Sequence, residues 1–569
     1  MTSPNTTYLA LTIGPIEKAS EKARSTRGLW AASFLFSAFM RSVCRQLTYK
    51  GFSFVIPYLD PDGKIFDPHG GAGLFPDRLI VKAKAGDESV LLEVVNTAIS
   101  ELIDKQTTWK INERLPLEQK RRAIGHEITP LPDTETLRQH FRRFLKLRAV
   151  SFSVPVSKNP VEVCYPILTA LEFMPTLAGV ESADWLDMLF QAIHETPVAK
   201  QDLGTGGRFP SLIEIATCEL ESEKWLDYQA ICQSALNESR KKTDEWLKKG
   251  KDEEEPTEED NLLELLRKKA RETRNRLRRY HSYIAIVKAD GDNMGKTLAA
   301  VGLHTPALLN SLQQALFEFN QKAIPIISQQ GGRAIFLGGD DLLFFAPVLY
   351  KSQSVFDLVN RLHEQFTADI KPIYEQFKAK VVTVSDIPDC PTLSFGISIS
   401  YHKYPLFEAL ETAKQLLEDT KTGQKNAVAF RLLKHSGSYF GEQFSQADGS
   451  FKRMCSLLDA IAKPVKQEEE EEKARFLSSV QFRIRELSPL LQAIANKEGQ
   501  LKAFFDNQFN EAIHHQMREF IDLVWQTIHE TYKLQANSAN AWESTLHTVY
   551  SSLRMAQFLT QPDSSDEND

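Results

Sequence analysis

Ala334-Ile335-Phe336-Leu337-Gly338-Gly339-Asp340-Asp341-Leu342-Leu343-Phe344-Phe345 is the stretch on which the fold turns. Two short apolar runs flank a polar bend, so the segment predicts a β-hairpin closing across Gly338–Asp341. Upstream, Ile284-Ala285-Ile286-Val287 reads as a buried strand that runs on into Ala289-Asp290-Gly291-Asp292-Asn293-Met294-Gly295-Lys296. Between strand and hairpin, Leu308, Leu309, Leu312, Leu316 and Phe319 recur at helical spacing. After the hairpin, Val355, Leu358, Leu362, Phe366, Ile370 and Phe377 do the same. A strand over Ser394–Ser400, a helix over Leu406–Leu417 and a closing strand over Ala427–Phe430 complete the order βαββαβ.

The N-terminal part repeats that order with almost no matching sequence. Tyr8–Ile13 alternates as a strand and stops at Gly14-Pro15; Leu29, Trp30, Phe34, Leu35 and Phe39 form one helical face. Strands over Phe52–Tyr58 and Arg78–Lys84, a helix near 87–105, a charged helical insertion and a strand at Val150–Val154 follow. The fold class is therefore α+β, with two ferredoxin-like βαββαβ units. The expected division is 1–156 for the first unit, 157–280 for a mainly helical linker, 281–434 for the second unit and 435–569 for a C-terminal helical bundle. The acidic run Lys251–Pro256, the Glu468–Glu472 run and the polar tail from Asp563 to Asp569 read as solvated, disordered segments. The basic run Arg267–Arg279 spreads its charge around a helix, as a solvated connector does.

A chain of 569 residues exceeds one hydrophobic core, and its 42% apolar content with 34 Phe supplies several. A net charge of -7 excludes a surface that is basic throughout, so nucleic-acid contact is left to local patches or partner subunits. Cys44, Cys164, Cys218, Cys232, Cys390 and Cys455 are scattered without any CxxC pair. That spacing fits neither a disulfide framework nor a zinc site, and it suits a reducing cytoplasm. No apolar run reaches a membrane span, and no signal segment precedes the first strand.

In a βαββαβ sheet the first strand lies beside the hairpin, which brings Asp290 to the Gly338–Asp341 turn. Asp290, Asp340 and Asp341 then crowd one sheet edge, an arrangement that divalent cations between them would relieve. Carboxylate oxygens suit Mg²⁺ or Mn²⁺. Two such ions roughly 3.5–4 Å apart would serve both the attacking and the departing oxygen of a phosphoryl displacement. Gly338 and Gly339 permit the tight turn, while Gly291 and Gly295 open the loop where helix N–H groups favour phosphate oxygens. Asp292, Asn293, Met294 and Lys296 complete that candidate nucleotide loop. A Gly-Gly-Asp-Asp bend alone is an ordinary hairpin turn. The Asp290-Gly291-Asp292 strand end one βα unit earlier makes it a candidate site.

With these residues quoted, the second unit resembles the palm domain shared by nucleotidyl cyclases, diguanylate cyclases and many polymerases. The chain as a whole resembles the large palm/cyclase subunit of type III-B (Cmr-type) CRISPR effector complexes. The resemblance is carried by Tyr8–Pro15 with Ala23–Trp30, Ala289–Lys296, Gly338–Asp341, Lys403-Tyr404-Pro405-Leu406 and Lys421–Ala427. It implies ATP as substrate, two metal ions held by Asp290, Asp340 and Asp341, and triphosphate contacts from Lys421, Lys425 and Asn426. Gln424 stands where a glycine is usual in that last segment, and Lys421 and Lys425 read equally well as a cationic helix C-terminus. The implied product is an adenylate messenger, either cyclic oligoadenylate or AMP joined to S-adenosylmethionine. The implied partners are other effector subunits, CRISPR RNA and an activating target RNA.

Many members of that family carry an HD nuclease domain and a zinc module. This chain has no His-Asp pair among its 13 histidines and no CxxC, so neither is expected. Gly14-Pro15-Ile16-Glu17 stands where the second unit has Asp290–Asn293, so the first unit is expected to form only the opposing wall of a shared pocket. Arg24, Arg27 and Trp30 are candidates for that wall, Trp30 also suiting the core. Two competing readings remain: a catalytically silent scaffold of the ribonucleoprotein, and a stand-alone diguanylate cyclase, against which the additional degenerate unit and the helical regions argue.

Overall fold

The computed structural model describes residues 5–563 apart from 17–18, 21–22, 24, 68–70, 85, 103–132, 157, 175–182, 204–206, 250–256, 276, 382–386, 435–436, 463–466 and 510–516. Glu17, Arg24, most of the insertion after residue 102, Lys251–Pro256 and the tail beyond Asp563 thus lie outside the described residues.

The first sheet is built from β1 (Asn5–Gly14), β2 (Ser53–Ile56), β3 (Arg78–Ala83) and β4 (Lys146–Pro155). Helix α1 (Thr26–Tyr49) follows β1 and helix α2 (Asp87–Ile99) follows β3. The spatial order is β2-β3-β1-β4, every pair antiparallel, with Tyr8 opposite both Lys82 and Phe152. Alternation along β1 explains why it is buried on both faces. Leu9, Leu11 and Ile13 pack into a core with α1, whereas Tyr8 and Ala10 pack with helix α3 (Pro160–Phe173). The α1 start is set by Ser25, whose side chain accepts from Gly28 N.

The second sheet contains β5 (Tyr283–Asp292), β6 (Arg333–Gly338), β7 (Asp341–Pro347), β8 (Thr392–Tyr401), β9 (Ala427–Leu433) and β10 (Tyr439–Ser445). Its order is β10-β9-β8-β5-β7-β6. The inner order β8-β5-β7-β6 matches β4-β1-β3-β2 of the first sheet. Helices α4 (Met294–His304), α5 (Pro306–Gln329) and α6 (Val355–Lys380) supply the crossings of the inner four strands. Helix α7 (Leu406–Thr422) carries the chain from β8 to its parallel neighbour β9. Ala285, Val287 and Ala289 of β5 face the core with α5 and α6, while Ile284 and Ile286 join the core of the first unit. Asp290 shares the parity of Ile284 and Ile286, so alternation directs it towards the first unit.

The two units are also joined by main chain. Gly73 bridges to Phe336, with Leu337 N donating to Gly73 O at 3.0 Å and Ser33 Oγ donating to Ile335 O at 3.0 Å. The helix Glu258–Glu272 ties three regions through its acidic first turn. Glu258 pairs with Arg27 at 2.9 Å and with Arg208, Glu259 accepts from Leu212 N at 3.1 Å, and Asp260 pairs with Lys403 at 2.8 Å.

Three expectations are corrected. Residues 439–445 form the edge strand β10, paired along β9, rather than the start of a helical bundle. Glu468–Glu472 lies within the helix Gln467–Glu486 rather than in a loop, because glutamate runs carry good helix propensity. Asp563 is ordered: its carboxylate binds Arg267 at 2.7 and 3.1 Å, and its N–H reaches Leu277 O at 3.0 Å. The remaining C-terminal helices, among them Ser450–Ala462, Arg518–Gln535 and Ala541–Thr560, share one core with the second sheet. Among the described residues no helix is long and apolar enough to cross a membrane. All six cysteines are free thiols.

Candidate functional site

The hairpin closes as its sequence requires. Gly338 pairs with Asp341, leaving Gly339 and Asp340 as the bend, and Gly339 takes a φ of 67° that a β-carbon would strain. Asn320, buried on α5, donates from Nδ2 to Gly339 O at 2.9 Å and fixes the bend from behind. The Asp340 side chain lies against Gly291: a β-carbon placed there would stand 2.6 Å from Asp340 Oδ2 and 2.7 Å from its Cβ. Gly291 is therefore the residue that lets the hairpin carboxylate approach the end of β5.

Asp290 pairs in register with Ser394 of β8, and Ala289 with Leu342 of β7, which sets Asp290 level with Asp341 across β5 and β7. The carboxyls feel one another. Burial pushes Asp340 up to about 7 from an ordinary 3.8, and the Asp290 charge adds to it against the Lys421 ammonium. Burial, then Asp340 and Asp290, raises Asp341 well above the carboxylate range, although its side chain keeps an open flank. Among the described residues no three His, Cys, Asp or Glu side chains gather as one coordinating group. Instead Lys421 Nζ bonds Asp290 Oδ2 and also Gly291 O, the latter at 2.9 Å.

That contact is itself a test of fit for a metal. A cationic ammonium bridges a carboxylate and a main-chain carbonyl, two hard oxygens of the kind Mg²⁺ and Mn²⁺ select, with the Asp340 carboxylate packed alongside. The donor set suits a divalent cation once the lysine leaves.

Asp292 is held inside the sheet. It is 1% exposed, and its Oδ2 accepts from Thr392 Oγ1 and Ser394 Oγ at 2.7 Å each and from Asn426 N at 3.0 Å. It thereby clasps β8 and the loop after α7 to the end of β5. Met294 is core, at 1% exposure. Asn293, at φ 60°, starts α4 and accepts from Lys425 Nζ at 2.8 Å. Gly295 and Lys296 are exposed on the first turn of α4. Asn426, at φ 56°, is committed to Asp292 through its N–H and to Gln446 N through its carbonyl at 2.9 Å.

A cavity of about 700 Å³ lies between the two sheets. Gly14, Pro15, Asp77, Lys146 and Arg148 line it from the first unit; Lys288, Asp341, Phe336 and Phe407 line it from the second. Ile16 lines the wall too, whereas the expected wall residues Arg27 and Trp30 do not. Arg27 is spent on Glu258 and on Phe209 O, and Trp30 is fully buried with its Nε1 donating to Gly71 O at 2.6 Å. Asp77 was not legible as a site residue. It immediately precedes β3, as Asp341 opens β7, and Ile13 N donates to its carbonyl at 2.9 Å. Burial raises its carboxyl to about 6, Arg78 opposing and Glu172 adding to the rise. A separate cleft of about 390 Å³ at Glu221–Gln229 contains none of these residues.

Two sheets of one inner strand order face one another across a cavity, with the Gly338–Asp341 hairpin on the second, which is the layout of a palm-containing α+β protein. Residues 283–429 match the family described as Cas10/Cmr2, second palm domain, and residues 8–105 match CRISPR-associated protein Cmr2, N-terminal. These two stretches of the chain are thus similar to Cas10/Cmr2 proteins. It is 28% identical over 183 residues to the "CRISPR system Cmr subunit Cmr2" of Pyrococcus furiosus, a stretch covering 28% of this chain and 19% of that protein. The match thus spans about a fifth of that relative's length. Among solved structures, "Type III-B Cmr-beta bound to cognate target RNA" is similar at a TM-score of 0.45 and 12% identity, over 92% of this chain and 78% of the other. "Csm1-Csm4 cassette in complex with cA4" is similar at a TM-score of 0.43 and 10% identity, over 93% and 70%.

Proposed function

We propose that this chain is the nucleotidyltransferase subunit of a type III-B CRISPR effector assembly, converting ATP into an adenylate messenger when target RNA is bound. The observation that carries the reading is the edge formed by Asp290, Gly291 and Asp340, which holds a cation and lies beside the cavity between the palms. In this reading Asp290 and Asp340 are metal ligands and Asp341 supports them from the cavity side. Divalent ions, when bound, neutralise the phosphates and favour departure of pyrophosphate. The protein's own part is placement. Gly291 admits the Asp340 carboxylate, Asn320 holds the bend, and the Asp292 clasp fixes the loop bearing Lys421 and Lys425. Gly295 and Lys296 offer a helix N-terminus and a charge to phosphate oxygens. The proposed organisation is a degenerate palm over 1–156, a helical linker over 157–280, the working palm from 281 into β10, and a helical C-terminal region.

The acceptor would occupy the cavity. Lys146 and Arg148 make no ion pair among the described residues, and with Lys288 beside Asp341 they suit an acceptor that carries phosphates. Asp77, Glu172, Asp341 and Glu411 on the same lining suit the sulfonium of S-adenosylmethionine, so both acceptors enter the test. The competing reading, a silent scaffold, draws on Lys421 already neutralising Asp290. One experiment separates them. The assembled complex is incubated with α-labelled ATP, Mg²⁺ and target RNA, with and without S-adenosylmethionine, beside Asp340→Ala/Asp341→Ala. Labelled oligoadenylate, or labelled AMP joined to S-adenosylmethionine, from the wild-type assembly alone supports the proposal; equal product from the double variant, or none from either in an intact assembly, refutes it.

A further inference from the structure

The Lys421 ammonium occupies two oxygens at once, Asp290 Oδ2 and Gly291 O. Nothing in the helix requires this: Lys421 is on the last turn of α7, where a cation would already be favoured in solvent by the helix C-terminus. Reaching Asp290 instead places its charge at the spot where the second palm has the most carboxylates and, in the reading above, where a metal belongs. Two cations cannot share Asp290 Oδ2 and Gly291 O. We infer that Lys421 is an exchangeable counter-ion, paired with Asp290 until metal and nucleotide bind and then transferred to a phosphate of the nucleotide.

Three features make the exchange mechanically simple. First, both partners are reachable, the Lys421 and Asp290 side chains being 25% and 31% exposed. Second, the anchor is fixed while the side chain is free to pivot. The loop end is pinned by Asn426 N on Asp292, and Gly423 N donates to Asp419 O at 3.0 Å, so only the flexible four-carbon stem need move. Third, the charge count favours replacement. Lys421 faces Asp290 and Asp340 while Lys288 lies nearer Asp341, and a divalent ion compensates Asp290 better than one ammonium does while Lys421 gains phosphate oxygens. The consequence is thermodynamic coupling: metal alone must displace Lys421 without giving it a new partner, whereas metal with nucleotide does both.

This inference rests on Asp290 being a metal ligand, and the test keeps the two ideas apart. Mn²⁺ binding to the full chain is measured by electron paramagnetic resonance, with and without a non-hydrolysable ATP analogue, for wild type, Lys421→Gln, Lys421→Arg and Asp290→Asn. Chelation of Mn²⁺ by the analogue in solution is common to all and cancels between proteins. Expected is Mn²⁺ affinity at least threefold tighter in K421Q without nucleotide, and a metal–nucleotide coupling factor at least tenfold smaller than in wild type. K421R, which keeps the charge, should retain most of the coupling. Unchanged or weaker Mn²⁺ binding by a folded K421Q overturns the exchange while leaving Asp290 a ligand. Equal Mn²⁺ binding by D290N and wild type overturns the ligand assignment and the exchange together.

Discussion

Asp340→Asn should stabilise the metal-free protein at neutral and alkaline pH. The Asp340 carboxyl is held at about 7 in the folded protein against 3.8 ordinarily. The folded state therefore binds this proton more tightly than the unfolded chain does. Its contribution to stability is whole below pH 3.8 and is lost as pH rises to about 7, above which the penalty is constant. A displacement of that size is worth at most about 4 kcal/mol. Asp340 sits on a partly exposed bend and shares its field with Asp290 and Asp341, so solvent screening reduces the figure to roughly 1–2 kcal/mol. Asparagine keeps the shape without the charge. The assay is thermal and urea unfolding between pH 4 and 8.5 in chelator, read on the transition that contains the second palm. The expected gain at pH 8 is about 2–6 °C in Tm, using the usual slope for a unit of this size, and it should vanish near pH 4. Adding excess Mg²⁺ should reverse the order, because wild type gains a ligand and the variant does not. A gain that is independent of pH, or a less stable variant at pH 8 in chelator, would refute the claim that carboxylate crowding strains this edge.

Gly291→Ala drives a β-carbon into the Asp340 side chain at 2.6 Å; it should cost at least about tenfold in nucleotidyl transfer while the overall fold persists by circular dichroism. Asn320→Ala removes the donor to Gly339 O from a buried site and should lower stability by about 1–2 kcal/mol in denaturant titration, with activity falling further than stability explains. Glu258→Gln weakens the pair to Arg27 that joins the first palm to the linker and the pair to Arg208 within the linker. A loss of about 1–3 kcal/mol, with earlier proteolysis near residues 207–210, is expected from limited digestion of the variant.

The parts of this chain that could be read from the residues alone were those whose signal is local. The apolar runs around Gly338–Asp341 specify a hairpin by their own pattern, and the alternating β1 and the helical faces of α5 and α6 follow from period. Gly291 was legible as a permissive residue, although the carboxylate that needs its missing β-carbon comes from 49 positions further along the chain. What escaped was tertiary. Asn320 sits mid-helix and looks like any polar residue on α5 until the hairpin folds over it. Asp292 shares a face with Asp290 by alternation, yet Thr392 and Ser394 of the neighbouring strand take its carboxylate away from the site. Asp77 follows a long excursion from β2, which hides its correspondence with Asp341. The Glu468–Glu472 run was misread because like charge was weighed above helix propensity. Lys473 follows it at 5% exposure, with Nζ donating to Ile461 O at 3.2 Å, and anchors that helix to its neighbour.

The most direct trial of the account is an anomalous-diffraction map of the protein grown with Mn²⁺ and a non-hydrolysable ATP analogue. Manganese should appear between Asp290 and Asp340, ligated by their carboxylates, with Lys421 turned onto the analogue's phosphates. Manganese elsewhere, or Lys421 still seated on Asp290 with nucleotide bound, would contradict it.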